Sequence, residues 1–234
     1  MFIEALRYSF PVLLGYAAIG SAFGFMMADA GYPWWLALVM SLLMFAGAGQ
    51  YIAVGLFAAG TTLWEAVLLQ LIVNARHIAY GLSMMNRLKG AGPLKFYIIF
   101  GMTDETFALL SSLPEERPLP GERSSPSRVK FMFLVTLLDH SYWVTGSVIG
   151  AVAGSLLPFS TEGIAFALTA LFIVLMIEQI RRVRMPGMFI VSAILAVLCV
   201  LFLPARFSLL AAMALAFAIS SLLPGTKKPQ AEAP

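Results

Sequence analysis

An all-α fold of membrane-spanning helices is what this sequence predicts, and three observations predict it. The 234 residues are 60% hydrophobic and only 12% charged, with a mean hydropathy of +0.89. Soluble domains run near half apolar and a quarter charged, so several stretches must lie in lipid. Apolar runs of spanning length recur along the chain between short polar connectors. The 19 Gly and 13 Met suit helices packed closely in a bilayer.

A helix crossing the hydrocarbon core needs roughly 20 largely apolar residues. Eight stretches qualify: about Tyr8–Ala28, Trp34–Phe57, Leu63–Met85, Phe96–Leu113, Phe131–Leu157, Gly163–Ile180, Gly187–Leu203 and Phe207–Leu223. The first imitates a signal peptide, with Arg7 before it and Ala28-Asp29-Ala30 after it. However, its apolar run is long for a leader and is interrupted by Pro11, Gly15, Gly20 and Gly24, so it reads as a retained helix. The second is opened near its middle by Phe45-Ala46-Gly47-Ala48-Gly49-Gln50, since two glycines there weaken a helix. The third and fifth carry polar groups inside them. The fourth is short, acidic at its centre and flanked by positive charge, which leaves a re-entrant segment and seven crossings as the alternative.

A single transmembrane domain over residues 1–224 is expected. Its halves, about 1–113 and 131–224, are joined by the polar loop 114–130, and 225–234 is a disordered tail. With eight crossings, ten Lys and Arg fall on one side and four on the other, Arg76 lying within a span. Both termini are then cytoplasmic. The pI of 9.1 therefore reflects short basic loops rather than a nucleic-acid surface. Cys199 is the only cysteine, which excludes an intrachain disulfide and a cysteine metal cluster. Nothing in the sequence implies a metal or an organic cofactor.

Polar groups at membrane depth then narrow the function. Asn74-Ala75-Arg76-His77 lies in the third span, Thr103-Asp104-Glu105-Thr106 in the fourth and Asp139-His140 in the fifth. An ionised residue at a helix centre costs on the order of 3 kcal/mol, so Arg76, Asp104, Glu105 and Asp139 would together cost roughly 10 kcal/mol if isolated. Such groups persist by pairing or by facing a wet cavity. Arg76 with one carboxylate could be a structural ion pair, but three carboxylates against one arginine leave a surplus negative charge. Both histidines of the chain, His77 and His140, fall in these clusters, as functional groups or as hydrogen-bonded core residues. The ladders Gly20-x-x-x-Gly24 and Gly146, Gly150, Gly154 read first as helix-packing faces. Gly15–Gln50 and Gly146–Gln179 suggest a repeat of the two halves. No H-E-x-x-H, G-x-S-x-G or phosphate-cradling loop occurs, so an enzyme is not expected.

Five motifs, taken together, resemble the AzlC family: Gly20-Ser-Ala-Phe-Gly24, Phe45-Ala-Gly-Ala-Gly-Gln50, Asn74-Ala-Arg-His77 with Tyr80-Gly81, Thr103-Asp-Glu-Thr-Phe107 and Asp139-His-Ser-Tyr-Trp143. The resemblance runs over about residues 8 to 200. That family comprises the large subunits of bacterial branched-chain amino acid exporters and includes the YgaZ proteins. It implies efflux of valine, leucine, isoleucine and methionine across the inner membrane, with a small AzlD-type membrane subunit as partner.

A zwitterionic aliphatic amino acid presents a carboxylate, an ammonium and an apolar side chain. Arg76, with Asn74 beside it and amides freed at Gly47, Gly49 and Gln50, is the natural carboxylate partner. Asp104 or Asp139 would take the ammonium, and Phe107 and Trp143 would line the apolar part. A proton moving through Glu105, Asp139, His77 and His140 would drive export. A passive channel for small neutral solutes is the competing class, built from the same kind of broken helices.

Overall fold

The computed structural model describes residues 1–113, 126–156 and 186–203, and residues 173, 176, 177, 180, 208, 211, 212, 215, 216, 218 and 219 besides. Among these, every regular element is a helix. They are α1 Phe2–Asp29, α2 Trp34–Met44, α3 Gly47–Ala58, α4 Leu63–Met84, α5 Leu94–Phe100, α6 Asp104–Ser112, α7 Pro126–Leu156 and α8 Pro186–Phe202. The chain divides into two compact units, Met1–Leu171 and Phe172–Pro234, so α8 belongs to the second. Most of the expected spans Gly163–Ile180 and Phe207–Leu223, most of the polar loop, the tail and Gln179 of the suggested repeat lie outside the described residues.

Local sequence explains most of the helix ends. Thr62 and Glu65 form a reciprocal capping box at the start of α4: Thr62 Oγ1 accepts the Glu65 N–H at 3.4 Å, and Glu65 Oε2 accepts the Thr62 N–H at 3.2 Å. Gly31 and Gly60 follow α1 and α3 at φ of 79° and 61°, where a side chain would be strained. α7 begins at Pro126, five residues before the expected span. Proline suits a first helical turn because its missing N–H is unpaired there anyway, so 126–130 is helix rather than loop. The predicted second span is two helices, α2 and α3, as the glycines at 47 and 49 suggested. The predicted fourth is also two, α5 and α6, parted at Gly101–Thr103.

The first unit is organised around α1 packed on α7. Tyr16 lies beside Gly146, Ser21 beside Gly150 and Phe25 beside Gly154, so the two helices run parallel. A Cβ on Gly20 would come 3.1 Å from the Trp143 carbonyl oxygen, and at Gly24 and Gly150 it would collide with the backbones of Ser147 and Ser21. Both glycine ladders are therefore packing faces that let backbones touch.

Two apolar clusters flank a polar layer. Met84, Leu88, Ile98, Leu110, Met132 and Val135 form one, and Val12, Phe23, Met27, Tyr51, Trp143 and Ala151 belong to the other. Between them on α7 fall Thr136, Asp139 and His140, all buried. Outward-facing side chains are apolar as well, including Leu43, Trp64 and Leu82, at 73%, 82% and 68% exposure. Among the described residues α1 is the one helix long and apolar enough to cross a membrane, while α2 and Phe189–Phe202 are shorter apolar helices.

Candidate functional site

The site is built where two interrupted helices meet. α2 stops at Met44, and Phe45 and Ala46 leave the helical path before α3 starts at Gly47. A helix end leaves its last carbonyls without helical donors, and here the surroundings supply one. His140 Nε2 lies 3.0 Å from the Ser41 carbonyl oxygen. A carbonyl can only accept, so Nε2 carries the proton, and Nδ1 accepts from the Tyr97 hydroxyl at 2.8 Å. Gln50 spans the interruption: its Nε2 donates to Ser41 Oγ at 3.1 Å, and its Oε1 accepts the Trp143 indole N–H at 2.7 Å. Gln70 Nε2 of α4 donates to the Gly49 carbonyl at 2.8 Å, an approach that any Cβ on Gly49 would block.

The second interruption, at Gly101–Thr103, adjoins the first. A Cβ on Gly101 would strike the Thr136 side chain and lie 3.7 Å from the Phe45 ring, which itself stacks on His140 at 4.5 Å. α6 then starts with Thr103, whose Oγ1 accepts the Thr106 N–H at 3.3 Å.

Three consecutive residues of the first turn of α6 reach three different helices, because successive helical side chains diverge by about 100°. Asp104 turns to α4, where Arg76 Nη1 donates to Oδ2 at 2.5 Å and Tyr80 Oη donates to Oδ1 at 2.5 Å. Glu105 turns to α1, where Tyr16 Oη donates to Oε2 at 2.8 Å. Thr106 turns to α7 and donates to Asp139 Oδ2 at 2.9 Å. Tyr16 and Thr103 complete a link, their hydroxyl oxygens 2.5 Å apart, and Thr103 and Thr106 are joined at 3.0 Å. Asp139 is wholly buried, and among the described residues its Oδ1, like Arg76 Nε and Asn74 Oδ1, has no hydrogen-bond partner.

Most of the predicted residues converge here, in two settings. Arg76, Asp104 and Phe107 form one half-open group: the ion-paired side chains keep 36% and 21% of their surface, and Phe107 stacks on Tyr80 at 4.4 Å. Asn74 sits one turn before His77 and donates to the Gln70 carbonyl and Oε1, each at 2.9 Å. Gln50 and Trp143, by contrast, are buried and engage each other, and a Cβ on Gly47 would come 3.2 Å from the indole ring. His77 meets the Tyr80 ring edge-on at 6.0 Å. Among the described residues, no hydrogen bond ties His77 or His140 to Glu105 or Asp139.

Sequence reasoning missed Tyr16, Gln70, Tyr80, Tyr97, Gly101, Thr103 and Thr106 as members of the site. The threonines carried a signal, a cap pattern inside an apolar run, and Gln70 lies one turn from Asn74. Tyr80 stood in a family motif, one turn from Arg76, and no comparable signal marked Tyr16 or Tyr97.

Half-helices whose ends meet beside charged side chains are a construction used by membrane transport proteins. The chain belongs to the AzlC family, whose model, described as AzlC protein, matches residues 11–157. It is 39% identical over 180 residues to the Bacillus subtilis branched-chain amino acid transport protein AzlC, covering 76% of this chain and 67% of that one. A membrane protein of Helicobacter pylori strain 26695, named as uncharacterized, is 38% identical over 92% of both chains. The Escherichia coli inner membrane protein YgaZ is 30% identical over 77% of this chain and 74% of its own. No solved structure matches.

Proposed function

We propose that this chain is the large, multi-pass subunit of a secondary active exporter of branched-chain amino acids, with methionine also accepted. It works in a bacterial inner membrane beside a small AzlD-type subunit. Membership of the AzlC family and likeness to the Bacillus subtilis branched-chain amino acid transport protein support the substrate class. Apolar side chains directed outward from α2 and α4 support a lipid-facing surface. The parallel packing of α1 and α7 supports a fourth segment that crosses, as the eight-crossing reading needs: three crossings between them return the chain to the same direction, whereas a re-entrant α5–α6 would make them antiparallel. Both termini are then cytoplasmic.

The observation that carries the proposal is the half-open pair of Arg76 and Asp104 at the start of α6. In the empty carrier the two charges satisfy each other. An entering zwitterion offers the same two charges in reverse: its carboxylate takes the guanidinium, whose Nε is still unpartnered, and its ammonium takes Asp104. Phe107 and Tyr80 stack beside the pair and provide apolar surface for a branched side chain. Gln50, Trp143 and His140 hold the neighbouring interruption rigid, and Gln70 and Asn74 brace it from α4. Uphill efflux is driven by a proton gradient.

Exchange of labelled leucine in inverted membrane vesicles containing both subunits tests the reading. Wild type exchanges and accumulates leucine, and Arg76→Ala and Asp104→Asn, present at normal level, do not.

A further inference from the structure

The chain of hydroxyls between Glu105 and Asp139 has a proton count that fixes its charge. Five groups, Glu105, Tyr16, Thr103, Thr106 and Asp139, are joined in a row by four oxygen–oxygen contacts of 2.8, 2.5, 3.0 and 2.9 Å. Each contact needs one hydrogen between its oxygens. The tyrosine and the two threonines bring only three. With both carboxyls ionised, Tyr16 donates to Glu105, Thr103 donates to Thr106 and Thr106 donates to Asp139. Tyr16 and Thr103 then face each other 2.5 Å apart with no hydrogen between them.

One added proton on either carboxyl closes the row, and the site is built to hold one. Tyr16, Thr103, Thr106 and Asp139 are buried, with Thr106 and Asp139 at 0% exposure, so water cannot supply the missing donor. Among the described residues Asp139 Oδ1 finds no donor, which a neutral carboxyl tolerates better than a carboxylate. Three further ionisable groups, on α4, α6 and α7, have partners of their own. Asp104 on α6 pairs with Arg76 of α4, His140 on α7 is held by Ser41 and Tyr97, and His77 of α4 rests on Tyr80.

We propose that Glu105 and Asp139 share a single proton and that Tyr16, Thr103 and Thr106 relay it between them. With the proton on Asp139, every hydroxyl donates toward Glu105. Transfer breaks the O–H bonds of Asp139, Thr106, Thr103 and Tyr16 in turn and forms those of Thr106, Thr103, Tyr16 and Glu105. Four bonds break and four form, and the negative charge passes from Glu105 to Asp139. All hydroxyls are left donating the opposite way, ready for the return. Glu105 is half-buried and Asp139 fully buried, so the relay joins a more accessible end to a sealed one. The relay is the coupling device of the proposed exporter and rests on that reading, but the sharing of one proton does not.

Infrared spectroscopy of the full-length protein in lipid nanodiscs, near neutral pH and with hydrogen–deuterium exchange, tests the sharing without any substrate. Wild type shows protonated-carboxyl carbonyl absorption amounting to one carboxyl per chain, from Glu105 and Asp139 together. Glu105→Gln and Asp139→Asn each remove it, because the new amide N–H closes the row and leaves the other carboxyl ionised. Absorption that survives Glu105→Gln, that amounts to two carboxyls per chain, or that is absent from wild type would overturn the proposal. Transport tests the relay separately through the ratio of pH-gradient-driven leucine accumulation to gradient-free exchange. Thr106→Val lowers that ratio at least tenfold and Thr106→Ser keeps it; an unchanged ratio in Thr106→Val overturns the relay. A wild type that exchanges no leucine would instead defeat the substrate assignment and leave the infrared result standing.

Discussion

The indole N–H of Trp143 on α7 donates to Oε1 of Gln50 on α3 at 2.7 Å, while the amide of the same glutamine reaches back to Ser41 on α2 at 3.1 Å. One side chain thus bridges both sides of an interrupted helix, and a tryptophan from a third helix fixes its orientation. All three residues are buried. A glutamine at the centre of an apolar run is tolerated here because both ends of its amide are satisfied.

Removing the bridge leaves a buried donor without a partner. Gln50→Ala is expected to destabilise the protein by about 1–3 kcal/mol. Adding Trp143→Phe to Gln50→Leu should cost less than the sum of the two single changes, since neither polar group is then left alone. Thermal unfolding of the purified protein in one fixed lipid or detergent checks both statements.

The glycine ladders predict a sharp contrast. Gly24→Ala and Gly150→Ala force a methyl group into a facing backbone and should cost at least about 1–3 kcal/mol. Gly15→Ala meets nothing within 4 Å and should be neutral or slightly stabilising. Folded yield and midpoint of unfolding, compared across the three variants, provide the check.

Arg76 and Asp104 should differ from their neighbours in what they do to transport. A hydrogen bond to a charged group is worth about 1.5–3 kcal/mol, or roughly 10- to 100-fold in affinity. Arg76→Lys is therefore expected to weaken leucine exchange by about that factor, because a point charge replaces a planar fork. Concentration dependence of exchange reads this out.

The histidines should be dispensable for coupling. His77→Gln, which leaves the row of hydroxyls intact, is expected to keep the dependence of leucine accumulation on a pH gradient. Loss of that dependence at preserved exchange would show that His77 belongs to the proton path.

Much of this arrangement is legible in the sequence, and the missing parts have physical reasons. The interruption at Phe45–Gln50 announces itself because Gly47 and Gly49 remove helix propensity within an otherwise apolar run. Steps of four in Gly146, Gly150 and Gly154 place them on one helix face, and that face meets Gly20 and Gly24. The interruption at Gly101–Thr103 carries a single glycine, and a short acidic segment reads equally as re-entrant, so it stays hidden. The relay is harder still. Its members come from α1, α6 and α7, and a threonine within a helix gives no hint of its distant partner. Ion pairing of Arg76 with Asp104 rather than Asp139 likewise depends on which way each residue of one helical turn faces, and helix boundaries read from sequence carry errors of a turn.

On the proposed function, Arg76 and Asp104 part to admit a zwitterion where two half-helices meet. Equilibrium exchange of labelled leucine in inverted vesicles, with the small subunit present and protein levels matched, measures this most directly. Wild type should exchange leucine, and Arg76→Ala and Asp104→Asn should each fall to the level of vesicles lacking the protein. Exchange by either variant at the wild-type rate would contradict it.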